Sequence, residues 1–169
     1  MTKTHIQTQL QHLFGAERPT RWVTRERPKI DRIACPWLIR RFIDPEAVFL
    51  YVATKDVFAT AERDHAVAYD IPGAPFSHEG QACSFDAFIK RFDLHDDALG
   101  IVARIVRGAD TDRHDLAAEA SGLHAISLGL SQLYEDDHAM LAQGLIIYDA
   151  LYAWAGRARG ERHAWTPAV

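Results

Sequence analysis

The chain has 169 residues, 48% of them hydrophobic and 25% charged, a balance that excludes a disordered tail or a fibrous repeat and fits one globular domain with its own core. A formal charge of -4 counts against nucleic acid as a partner of this chain alone, since phosphate binding draws on clustered Lys and Arg. Two cysteines, Cys35 and Cys83, are too few for a disulfide framework, and the polar start of the chain lacks the apolar segment of a signal peptide, so the expected location is the cytoplasm.

Residues 1–20 read as a loosely attached leader ending at Pro19, followed by a single domain over 21–169. The run Arg21-Trp22-Val23-Thr24-Arg25 alternates and predicts a strand with one wet face. The crowding of Arg18, Arg21, Arg25, Arg27 and Lys29 around it suits a solvated strand edge guarded by charge. Ile33, Trp37, Leu38 and Phe42 share one face of a helix over 33–43, with Pro36 expected in its first turn. The apolar stretch 47–53 predicts a strand buried on both faces, so the strand, helix, strand order implies a crossover connection. A third strand over 66–71 is stopped by Pro72-Gly73.

Ser84 is placed to cap a helix running to Phe92. Ala98, Ile101, Val102, Ile105 and Val106 follow the i, i+3, i+4, i+7, i+8 template of a helix that Gly108 would end. Two more helices are predicted over 122–134 and 137–154. The last is apolar enough around its axis to suggest packing on more than one side, and Gly156 would close it. Gln143, Gly144 and Asp149 interrupt its apolar run, against a membrane span. The fold class is α/β or α+β, a small early sheet of about three strands covered by a helix-dominated second half.

Four clusters hold residues capable of chemistry. In the first, Asp31 to Asp44, Cys35 stands before Pro36, and a thiol at a helix start beside Arg32 favours the thiolate. The Cys35 to Arg41 spacing also matches an oxyanion-cradling turn, but Pro, Trp, Leu, Ile and Arg between them would wind into helix. In the second, His78 and Glu79 sit in a glycine-containing loop before the cap at Ser84, where a rigid scaffold can aim both at one point; Cys83 reads as packing. In the third, Arg107, Asp110 and Asp112 emerge where an apolar helix ends, with Glu119 beyond. In the fourth, Asp149 lies within an apolar helix and needs a cationic partner, for which an arginine of the first cluster is available. The remaining histidines, among them His114, His124, His138 and His163, show no ligand spacing of a known metal motif.

The block Asp31-Arg32-Ile33-Ala34-Cys35-Pro36-Trp37-Leu38-Ile39-Arg40-Arg41-Phe42-Ile43-Asp44, then Phe76-Ser77-His78-Glu79 with Cys83-Ser84-Phe85-Asp86, then Val106-Arg107-Gly108-Ala109-Asp110-Thr111 with Glu119-Ala120-Ser121-Gly122-Leu123, resembles the ChrB family of chromate resistance proteins across about 21–155. That resemblance implies a part in the bacterial response to chromate, a stress response, with chromate or a related small oxyanion as ligand. Longer members carry a regulatory part before this domain.

Residue chemistry then suggests a metal-binding domain in which Asp31, His78, Glu79 and Asp110 form a mixed nitrogen and oxygen site suited to zinc or non-haem iron. One rival is a metal-free oxyanion sensor using Arg32, Arg40, Arg41 and Arg107. A second is a thiol-dependent redox enzyme, with Cys35 as the candidate catalytic residue. The third is an interaction module that pairs with a regulator, or with itself as a homo-oligomer, through Tyr148, Tyr152 and Trp154.

Overall fold

Three short parallel strands frame the computed structural model, which describes residues 3–16 and 19–161. Strand β1 (Arg21–Arg25) lies between β2 (Val48–Val52) and β3 (Val67–Ala68). Trp22 is in register with Phe49 on one side and Val67 on the other. Being central, β1 buries Trp22, Val23 and Thr24 on both faces, which corrects the expectation of a wet face and a charged edge. Its basic neighbours have other work: Arg27 donates to the carbonyls of Tyr134 and Glu135 at 2.9 and 2.7 Å. Arg18 and His163 lie outside the described residues.

Around the sheet stand α1 (Lys3–Phe14), α2 (Asp31–Leu38), α3 (Val57–Arg63), α4 (Ser84–Arg91), α5 (Asp97–Asp110), α6 (Ala120–Leu133) and α7 (Asp137–Arg157). The arrangement is α+β, with a small early sheet and a helical second half. Helix α1 occupies the segment read as a loose leader: Ile6 and Leu10, one turn apart, are buried in the main core. No helix among the described residues is long and apolar enough to cross a membrane.

Helix α2 supplies the expected crossover but begins at Asp31, so Pro36 is its sixth residue and not part of its first turn. A proline there has no N–H for the carbonyl of Arg32. The Tyr51 hydroxyl, on β2, donates to that carbonyl instead at 2.9 Å. The helix then widens into a π-helical turn over Ile39–Ile43, ended by the Asp44 amide bonding to the Ile39 carbonyl at 2.7 Å.

Helix α5 runs two residues past Gly108, which is no terminator. A Cβ at 108 would stand 2.9 Å from both the Ala120 Cβ and the Arg113 carbonyl oxygen, so glycine is required there to let α5 meet α6. In α7 the buried Met140, Leu141, Gly144, Tyr148 and Ala155 form one stripe, while Ile146 is exposed. Leu145, Ile147, Leu151, Tyr152 and Trp154, partly buried against the same core, widen that stripe, and the helix meets α2, α5 and α6, in line with the expected broad packing. Its closest approach is to α2 at Gly144, where an added Cβ would overlap Ile33 Cγ2.

Gly144→Ala is thus expected to destabilise the fold by about 1–3 kcal/mol, read from urea or thermal unfolding, because Ile33 is held by its own core neighbours. Tyr51→Phe leaves the Arg32 carbonyl without its donor and is expected to cost about 1–2 kcal/mol in the same measurement.

Candidate metal centre

Parallel strands release their chains at one end of the sheet, and the polar residues gather there, as is usual for ligand sites in open parallel sheets. Arg25 ends β1, Asp31 opens α2 and Asp70 follows β3. Asp70 adopts φ +51, a left-handed conformation that Asp tolerates better than most residues. This turn ends the predicted third strand early, at Ala68, and brings the carboxylate back to Arg25 at 2.9 Å and Arg32 at 3.3 Å.

Asp31 is placed by strain. Ile30 before it has φ +33 and ψ -92, a rare geometry for a β-branched residue that surrounding contacts must enforce. The Ser127 hydroxyl accepts from the Ile30 amide at 2.9 Å, and the Tyr148 hydroxyl donates to the Ile30 carbonyl at 3.1 Å. Asp31 is consequently only 1% exposed. Its Oδ2 accepts from the Ser84 amide at 2.6 Å, at the start of α4, while Oδ1 has no hydrogen-bond partner.

His78 closes the cluster from the loop before α4. Its Nε2 lies 3.1 Å from Asp110 Oδ2, 3.5 Å from Asp31 Oδ2 and 3.5 Å from Asp70 Oδ1. Ligand atoms of Asp31, His78 and Asp110 all lie within 4.8 Å of one another. A tetrahedral ion with bonds of about 2.0–2.1 Å separates its ligand atoms by about 3.4 Å, close to the spacing from Nε2 to either carboxylate.

Electrostatics agree. Burial pushes Asp31 upward, aided by Asp110 and Asp70 and opposed by His78. Burial also works against Asp70 as an anion, yet His78, the Ser84 hydroxyl at 2.8 Å and the two guanidiniums bring it below the ordinary carboxylate value. Arg25 and Arg32 are thereby matched to Asp70. Asp31 and Asp110 face His78, whose protonated form they and Asp70 favour strongly. A cavity of about 480 Å³, lined in part by Arg25, Arg32, Asp70, His78 and Asp110, gives solvent access.

Three of the four predicted ligands therefore meet. Glu79 does not: its carboxylate is 43% exposed and pairs with Lys90 at 2.9 Å and Arg91 at 3.3 Å. Asp70 takes the place beside His78 that sequence reasoning gave to Glu79, and its signal was available, an acid near the end of the predicted third strand, two residues before Pro72-Gly73.

The four arginines proposed for an oxyanion serve different partners. Arg32 joins the cluster, but Arg40 lies over the Phe49 ring and reaches the Ala47 carbonyl. Arg41 stacks on Tyr152 and, together with the Trp37 indole N–H, meets Asp149 at 2.9 Å. Arg107 grips Asp86 through two bonds of 2.8 and 2.7 Å.

Cys35 is also corrected. It lies within α2, fully buried, and burial first, then Asp31 and Asp70, push its thiol well above the ordinary value. The thiolate is disfavoured. Tyr148 belongs to the core, with Tyr152 and Trp154 packed partly against it.

A family model described as ChrB, C-terminal domain, matches residues 22–155. Protein ChrB of Cupriavidus metallidurans CH34 is 37% identical over 132 residues, covering 78% of this chain and 39% of that protein. The chain thus spans well under half the length of this relative. No solved structure matches it.

The His78 ring yields a pH prediction. Its folded value is raised above 6.5 by Asp110 first, then Asp31 and Asp70, so the pairing contributes fully below pH 6.5 and is lost only as pH climbs towards about 12. In ion-free protein the ring is expected to keep both nitrogens protonated at pH 8, read by 15N NMR. A midpoint near the ordinary 6.5 would show that the carboxylates do not act on the ring.

Proposed function

The chain belongs to the ChrB family through its C-terminal domain, and from that membership we propose that it serves the bacterial chromate-resistance system in the cytoplasm as a divalent-metal-binding domain. Asp31, His78 and Asp110 are the ligands, and Asp70, 3.5 Å from the same Nε2, is a neighbouring carboxylate held in place by Arg25 and Arg32. The carrying observation is the convergence of two carboxylates and one imidazole, from three separate segments, within 4.8 Å. An imidazole with carboxylates suits zinc or non-haem iron.

In this reading the metal replaces the imidazolium proton as the counter-charge of Asp31 and Asp110. Binding must release that proton, so affinity rises with pH. Three protein ligands would leave a bound metal free to meet a further ligand, and the cavity that His78 and Asp110 line would admit one. The family's link to chromate makes a small oxyanion the natural candidate, with Arg25 and Arg32 in the cavity wall. The reading uses neither Cys35 nor the separated arginines.

Protein purified without a chelating tag is expected to hold about one equivalent of a transition metal by element analysis. Less than about a tenth of an equivalent, with no uptake of added zinc or iron, would sink the reading, because functional sites ordinarily retain their metal. Asp31→Asn and Asp110→Asn, each nearly isosteric, are expected to weaken zinc binding by about tenfold or more while circular dichroism is unchanged.

A further inference from the structure

The end of α5 and the loop beyond it carry acids and imidazole on alternate residues, Asp110, Asp112 and His114. Asp110 turns into the centre described above. Two residues on, Asp112 adopts φ +56 and holds its carboxylate 91% exposed on the wall of the same cavity. His114 begins a short 3-10 turn, and its Nε2 lies 3.1 Å from Nδ1 of His124 in α6. The rings are nearly perpendicular, 69° between planes, with centroids 5.2 Å apart. His124 also lines the cavity.

Two imidazole nitrogens at 3.1 Å share at most one proton between them, and an arrangement of this span is close to the bite of about 3.4 Å that a tetrahedral ion needs from two histidines. Asp112 Oδ1 stands 3.9 Å from the His114 nitrogen on a side chain that is 91% exposed, so it must move closer to the two rings to become a third ligand. Backbone bonds hold the loop that presents these groups: the Arg113 amide to the Gly108 carbonyl at 2.9 Å, and the Thr111 amide to the Arg107 carbonyl at 3.0 Å. The close approach of Gly108 to Ala120 sets α5 against the start of α6, the helix that carries His124.

We propose that His114, His124 and Asp112 form a second, outer divalent-cation site on the rim of the cavity, with zinc or a similar borderline metal as its ligand. Two imidazoles and one exposed carboxylate, open to water, make it the weaker site. One stretch of chain supplies ligands to both positions, so an ion at the outer site stands on the route from solvent to Asp110 and His78. This staging role rests on the inner metal centre, whereas the outer site itself does not.

The probe is zinc alone, titrated calorimetrically into metal-stripped full chain, with 15N NMR following the histidine rings. Wild type is expected to bind two equivalents of unequal affinity. His124→Gln and His114→Gln should each weaken the second equivalent by about tenfold or more and leave the first intact, while Asp31→Asn should do the reverse. One equivalent lost in His124→Gln but retained in Asp31→Asn would support the outer site and overturn the inner one. A wild-type isotherm unchanged by both glutamine variants, with no zinc-dependent shift of the His114 and His124 ring signals, would overturn the proposal whatever the inner centre does.

Discussion

Withdrawing the Asp31 carboxylate from water is the constraint on which the surrounding structure turns. A buried carboxylate without partners is very costly, and Asp31 offsets that cost by accepting from the first amide of α4 and by facing His78. To bring it there the chain holds Ile30 in a left-handed conformation, pinned by Ser127 of α6 and Tyr148 of α7. Four helices, α2, α4, α6 and α7, are thus tied to the placement of one side chain. A structure needing only stability would do as well with an apolar residue there, since buried charges are weak stabilisers.

The sheet order reinforces this arrangement. With β1 in the middle, the connection through α2 leaves on one side and the chain returns through α3 to the other. The strand ends therefore flank a gap between the outgoing and returning connections. Arg25, Arg32 and Asp70 occupy it, with the helical half supplying Asp110, Ser84 and, through the preceding loop, His78. The site belongs to the join between the two halves of the fold.

What was legible in the sequence follows from the range of the forces involved. Strand β1 and helix α5 announce themselves through the alternation of 21–25 and the helical period of 98–106, β2 through its apolar run, and α4 through a cap-type residue at its start, all signals set by nearby neighbours. Helix α1 was missed because Ile6, Leu10, Leu13 and Phe14, which meet the core, are spread thinly through a polar stretch. Pro36 misled because its missing N–H is compensated by Tyr51, fifteen residues away in sequence. Asp31, His78 and Asp110 could be named as ligands from their local settings, but Glu79 and Asp70 were exchanged, since the direction of a side chain depends on the left-handed turn at Asp70 and on Lys90 and Arg91 across the loop. The His114 and His124 pair left no trace in spacing, because two different elements bring the rings together.

The hydroxyl of Tyr51 standing in for the amide that Pro36 lacks has an evolutionary consequence. An ordinary residue at 36 would restore the helix's own donor to the Arg32 carbonyl, whose second lone pair could still accept from the phenol. Loss of the phenol first would strand that carbonyl. Tyr51 is therefore expected to be lost through descent only after position 36 has ceased to be proline, an ordered dependence linking a strand to a helix interior.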